Sequence, residues 1–400
     1  MGFGIYLLNN NFSNCIMRDL KKVIILTLPL ENNYGGLLQA YALQKVISDM
    51  GYNVVTDKSA CKNYNWKSRL SRLFLPLMYI VYRKIGKKII TPEIRNYRYQ
   101  RLNKFITDNI KTVDFFKGRK HPSKKDIKHY DIFVVGSDQV WRKKYVRVKS
   151  YFLDFLRCYN DKVRISYAAS FGLDNLDEWS LDDKETCEKL ALKFNALSVR
   201  EKEGVSIMQK TFGIEPKLVV DPTLLLKRED YLNVKGLGSV PKRTKLLFCY
   251  VLDLSEDKKE LIDKLKKEKG LDNVLFISPK MEKIDKNLPD NYVYPSMGEW
   301  LSAFQDAEFV FTDSFHGTVF SIIFNKQFLC YANKSRGISR LESLFNSFGI
   351  EGRMIVNSQE YKYTECNPID YSLVNKKIES LRKDSLNFLN QSLQGHGKKN

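Results

Sequence analysis

The pentapeptide Asp313-Ser314-Phe315-His316-Gly317 falls between an apolar run ending at Thr312 and a helical pattern expected from Thr318 to Asn325. An imidazole exchanges protons near neutral pH, and at the carboxyl end of a strand, beside a helix N-terminus, it can also face an anion held by backbone amides. Of the four histidines only His316 occupies such a place, since His121 and His129 fall in a basic loop and His396 in the tail. A buried structural histidine is the plainer reading; the strand end and the adjacent Gly317 favour the functional one. Arg200 closes the run Ala196 to Val199, where its forked guanidinium suits carboxylate or phosphate, with an ion pair to Glu201 as the structural alternative. Arg336 and Arg340 follow a run that ends at Ala332, so three arginines and one histidine outline an anion-binding cleft.

Asn33-Tyr34-Gly35-Gly36 leads from the first strand into a helix whose apolar face is Leu37, Tyr41, Val46 and Met50. Gly35 and Gly36 are expected to turn the chain tightly and present helix N-terminal amides to an anion or a sugar hydroxyl, although a plain strand-to-helix turn fits them equally. The pattern is neither a Walker A loop nor GxGxxG. Asp138, in Gly136-Ser137-Asp138, and Glu201 are further candidates for a base or for acceptor contacts. No HExxH, DxD or GxSxG occurs, and Asp182-Asp183 sits in a charged helical run, so metal-independent acid and base chemistry without a cofactor is expected.

These residues need a scaffold that brings strand ends together. Short apolar runs alternate with amphipathic stretches, the pattern of a mostly parallel α/β sheet. Strands are predicted at Val23 to Leu28, Asn53 to Thr56, Asp131 to Gly136, Val163 to Ala169, Ala196 to Arg200 and Lys217 to Asp221. After a loop from Asn233 to Lys245 the alternation restarts: strand Leu246 to Leu252, helix Glu256 to Lys269, then strands Asn273 to Ser278, Glu308 to Thr312 and Gln327 to Ala332. Two α/β domains are therefore expected, 21–235 and 240–370, with a last helix near 373–389 packing back across the junction through Val374, Ile378, Leu381 and Leu389.

Composition sets the outer bounds. Four hundred residues, 43% hydrophobic and 28% charged, suit a two-domain globular protein and exclude a low-complexity chain. The formal net charge of +20 points to anionic partners. Lys58 to Lys104 carries much of it, with Glu93 as its only acid. Seven scattered cysteines without a CxxC pair suggest a reduced, cytoplasmic protein. Ile5 to Leu8 lacks the flanks of a secretory signal, and Met17 is an alternative start. Leu73 to Tyr82, followed by Arg83, Lys84, Lys87 and Lys88, is too short to span a bilayer; its expected roles are a core helix or a peripheral contact with an anionic membrane.

In order, NYGGLLQAYALQ (33–44), VVGSDQVW (134–141), ISYAASFG (165–172), SVRE (198–201), VVDPTLLL (219–226) and TDSFHGTVFSIIF (312–324) make the chain resemble the polysaccharide pyruvyl transferase family over roughly residues 21 to 355. That resemblance implies two Rossmann-like domains facing across a cleft in the glycosyltransferase B manner. It implies phosphoenolpyruvate as co-substrate, and a glycan or lipid-linked oligosaccharide as acceptor. Its histidine-glycine motif falls on His316 and Gly317 and its arginine-acid motif on Arg200; Arg336 and Arg340 are taken as further donor contacts. Ser314 stands where many members carry an arginine. The implied reaction leaves a pyruvate ketal on a cell-envelope or exopolysaccharide sugar. A nucleotide-sugar glycosyltransferase is the alternative enzyme. A nucleic-acid-binding protein using Lys58 to Lys104 is the alternative from another class, disfavoured because no nucleic-acid-binding motif is present.

Overall fold

In a computed structural model, the described residues are 20–59, 91–238, 240–285, 288–289, 291–333, 336–362 and 367–395. Ile5 to Leu8, Met17, the stretch Leu73 to Tyr82 and most of the basic segment lie outside them.

The first sheet is wholly parallel. It contains β1 (Lys22–Leu26), β2 (Asn53–Asp57), β3 (Thr112–Val113), β4 (Ile132–Val135) and β5 (Val163–Ser166), in the order β3-β2-β1-β4-β5. Isolated bridges from Ile165 to Ala196 and from Ala169 to Val199 extend it toward β6 (Ser198–Val199) and its partner β7 (Lys217–Leu218). Val23 through Leu26 and Ile132 through Val135 are fully buried, as expected of parallel strands covered on both faces. Helix α1 (Tyr34–Asp49) crosses over from β1 to β2.

The second sheet is likewise parallel and five-stranded but differs in strand order, with β8 (Leu246–Tyr250), β9 (Asn273–Ile277), β10 (Ala307–Thr312), β11 (Gln327–Tyr331) and β12 (Met354–Ile355) arranged β12-β11-β10-β8-β9. Its helices include α2 (Glu256–Glu268), α3 (Met297–Asp306), α4 (Phe315–Ile323) and α5 (Ser339–Phe348). The two Rossmann-like units turn their carboxyl edges toward one another, the glycosyltransferase B arrangement. The final helix, α6 (Tyr371–Leu393), extends beyond the expected limits at both ends. It spans both units: Gln327 Nε2 donates to Ile369 O just before it, and farther along Arg382 Nε donates to Leu224 O while Ser385 Oγ accepts from Val220 N. Among the described residues no helix is long and apolar enough to cross a membrane.

One hydrophobic core runs through both units, containing Val23, Leu38 and Ile132 with Phe248, Trp300 and Phe320. At its centre Tyr34, from α1, stacks on Trp300, from α3, with ring centroids 5.6 Å apart, and its hydroxyl donates to Pro295 O. Trp300 also meets Phe304 and Phe320 edge-on at 4.7 and 4.8 Å. A large apolar interface of this kind restrains relative domain motion. Trp300→Ala is expected to lower the unfolding free energy by about 3–5 kcal/mol. Urea denaturation checks this, and a loss too small to measure would contradict a core shared by the two units.

Candidate functional site

His316 lies in the first turn of α4 rather than in a loop before it. The helix starts three residues earlier than the sequence pattern indicates because Ser314 is its N-cap, with Oγ accepting from Gly317 N at 3.4 Å. Gly35 presses on the imidazole from α1: a Cβ there would sit 2.2 Å from both Cβ and Cγ of His316. Only glycine permits this approach at position 35, so Gly35 brings two helices together, whereas a Cβ on Gly36 would meet only Asn33 at 3.4 Å. Neither Gly35 nor Gly36 takes a positive φ, and Asn33 caps α1 by accepting from Gly36 N at 3.3 Å. The expected tight turn is thereby corrected: both glycines lie in the first turn of the helix, and the cap occupies the Gly36 amide.

Next to His316 is a buried charge network built from three strand ends of the first unit. Arg200, after β6, donates from Nη2 to Asp138 Oδ1 at 2.8 Å and from Nη1 to Asp221 Oδ2 at 2.7 Å. Its guanidinium carbon lies 4.5 Å from the ring centroid of Phe315, whose unit faces it across the interface. Asp221 Oδ2 is also 3.9 Å from His316 Nε2, and Asp221 Oδ1 accepts from the amide and hydroxyl of Thr223. The loop carrying Asp138 is pinned by Gln39, which donates to Thr27 Oγ1 and accepts from Ser137 Oγ. Glu201 stands 3.8 Å from Arg200 and accepts from Phe171 N.

This packing sets the protonation states. Burial works to raise the Asp138 carboxyl, but Arg200, then His316 and Arg340, outweigh it and hold the group below the usual range. Burial raises Glu201, with Arg200 and Arg340 only partly opposing. His316 is lowered, first by burial and further by Arg200 and Arg340, against the pull of Asp221 and Asp138. Burial and Arg200 push the Arg340 guanidinium down to about 10.

A cavity of about 550 Å³ opens between the carboxyl edges of the two sheets. Of the residues singled out from the sequence, Asn33, Asp138, His316, Arg336 and Arg340 line it. Tyr34, Gly35, Gly36, Arg200, Glu201 and Gly317 do not: Tyr34 belongs to the aromatic core, Arg200 is enclosed by its carboxylates, and Gly317 packs against Thr312 and Tyr250. Arg336 pairs with Asp253 and lies 3.5 Å from Asp313. Two residues that matter here were missed. Asp221 ends the VVDP block, so the strand-end rule could have found it; Arg142, on the cavity wall, follows the VVGSDQVW block with no local pattern to mark it. Among the described residues no cluster of histidine, cysteine and acidic side chains has the grouping of a metal site.

A family model described as polysaccharide pyruvyl transferase matches residues 33–335 of the chain. No curated protein matches it in sequence. Similar solved structures include S. aureus MnaA in a co-structure with UDP, with 11% identity and a TM-score of 0.48, covering 95% of this chain and 99% of that one. Another is UDP-GlcNAc 2-epimerase from Neisseria meningitidis bound to UDP-GlcNAc, with 9% identity, a TM-score of 0.46 and coverage of 94% and 100%. The wall teichoic acid polymerase TagF has 10% identity, a TM-score of 0.48 and coverage of 94% and 88%.

Arg200→Ala leaves Asp138 and Asp221 buried without their shared cation. The expected loss of stability is about 3–5 kcal/mol. Chemical denaturation at neutral pH measures it, and an unchanged midpoint would show that the network does not hold the strand ends.

Proposed function

Because the chain belongs to the polysaccharide pyruvyl transferase family, we propose that it transfers the pyruvyl group of phosphoenolpyruvate to a sugar of a cell-envelope or exopolysaccharide glycan, closing a pyruvate ketal. The observation that carries this reading is a cavity whose wall combines one imidazole with several guanidiniums. Phosphoenolpyruvate brings a phosphate and a carboxylate, and guanidinium forks recognise both.

The chemistry divides along the same lines. Protonating the methylene carbon of phosphoenolpyruvate makes it a methyl group and leaves an oxocarbenium-like centre at C2. A sugar hydroxyl attacks C2 and gives up its proton. Phosphate departs with the electrons of its C2–O bond, and a second hydroxyl of the same sugar attacks to close the ketal. Two hydroxyls and one phosphoenolpyruvate thus yield one ketal and one phosphate. His316 is the proton donor in this reading. Its imidazole is biased toward the neutral form by burial and neighbouring cations, so an anionic donor that offsets those cations is what brings the proton in. Arg340 and Arg336 hold the donor's charges, Arg340 with the greater freedom because Arg336 already pairs with Asp253. Asp138 lines the same wall but is engaged by Arg200, which suits it to organising the site rather than accepting a proton.

The test is phosphate release from phosphoenolpyruvate in the presence of candidate envelope glycans, run beside a panel of nucleotide sugars. Turnover with phosphoenolpyruvate alone among the donors is expected, and turnover with a nucleotide sugar instead would replace the reading. His316→Ala should lower kcat by about a hundredfold or more. Near-wild-type turnover in the folded variant would return this histidine to a structural role.

A further inference from the structure

Arg142 and Tyr145 have no part in the reaction just described, yet both line its cavity. Arg142 follows β4 in the first unit and is 6% exposed. Its Nη1 donates to Gln139 Oε1 at 3.1 Å and to Tyr145 Oη at 3.2 Å, and its guanidinium carbon lies 4.8 Å from the Tyr145 ring centroid. Nε has no hydrogen-bond partner, and among the described residues Arg142 makes no ion pair.

Arg340 approaches from the other unit and is 8% exposed. It donates to Arg336 O, its Nε is also without a partner, and it too makes no ion pair among the described residues. Its position is fixed by the contact just before α5, where a Cβ on Gly337 would come within 2.3 Å of Gly172 O; with a φ of +78° as well, this site requires glycine. Tyr145, 44% exposed, accepts from Arg142 and lines the cavity from the first unit, while Arg336 and Arg340 line it from the second.

A buried cation without a counter-ion destabilises a fold. Among the described residues Arg142 has no ion pair and Arg340 feels Asp138 and Glu201 only from beyond ion-pairing distance, and two such guanidiniums, one from each unit, on the lining of one cavity call for an anion supplied from outside. We infer that Arg142, supported by Tyr145, grips a phosphoryl group of the ligand from the first unit while Arg340 grips it from the second. A phosphoryl group fits better than a carboxylate because its three free oxygens can accept from several forks at once. The shared hydrophobic core makes this grip preformed rather than dependent on domain closure. The inference rests on reading the cavity as the site of an anionic donor.

Isothermal titration of the full chain with inorganic phosphate and with phosphoenolpyruvate tests it, alongside thermal unfolding without ligand. Arg142→Ala should weaken binding of both anions tenfold or more and, by removing an unpaired buried charge, raise the unliganded melting temperature. Arg142→Lys, which keeps the charge but not the fork, should fall between. Unchanged affinities in folded Arg142→Ala would overturn the grip and leave the donor reading intact. Affinity lost together with a lowered melting temperature would also overturn it, making Arg142 a structural prop. Arg142-dependent binding of phosphate without any binding of phosphoenolpyruvate would uphold the grip and remove the donor reading. A wild-type protein that binds neither anion would overturn the grip.

Discussion

The guanidinium of Arg200, enclosed between Asp138 and Asp221, is the interaction on which the site is built. Three segments of the first unit, leaving β4, β6 and β7, converge on it, and each would otherwise carry a buried charge into the interior. Together they satisfy one another, while removal of any member strands the rest. The same cluster meets the second unit, through Phe315 against the guanidinium and His316 beside Asp221. A strand-end network therefore also fixes how the two units meet.

Its balance of charge extends into the cavity. Arg200 has its carboxylates, whereas Arg142 and Arg340 have none within ion-pairing reach among the described residues. The result is a wall that is positive, largely desolvated and already shaped. Such a wall favours an anion over water because its donors need little reorganisation, and the low effective dielectric of the interior strengthens each contact. The lowered imidazole of His316 and the lowered guanidinium of Arg340 reflect the same conditions. An anion that entered would reverse both tendencies.

Much of this scaffold could be read from the sequence because parallel strands buried on both faces leave continuous apolar runs, as at Val23 to Leu26 and Ile132 to Val135. The two-residue strands β3 and β12 leave no such trace. Placing ligands at strand ends directed attention to His316 and Asp138, which both line the cavity. What escaped depends on partners distant in the chain. Gly35 is glycine because of His316, which no local pattern reveals. The neighbour Glu201 offered Arg200 an obvious partner, but the closer carboxylates are Asp138 and Asp221. Ser314 resembled a loop residue because its capping role depends on where the following helix begins. Arg142 gains its meaning only from the cavity that both units enclose.

The most direct test of this account is the titration of the His316 imidazole by proton NMR, its resonance assigned with His316→Gln, in the free protein and with phosphoenolpyruvate. Burial and the neighbouring cations predict a midpoint below the ordinary 6.5 in the free protein, moving upward when the anion enters. A midpoint at or above 6.5 that phosphoenolpyruvate leaves unmoved would contradict it.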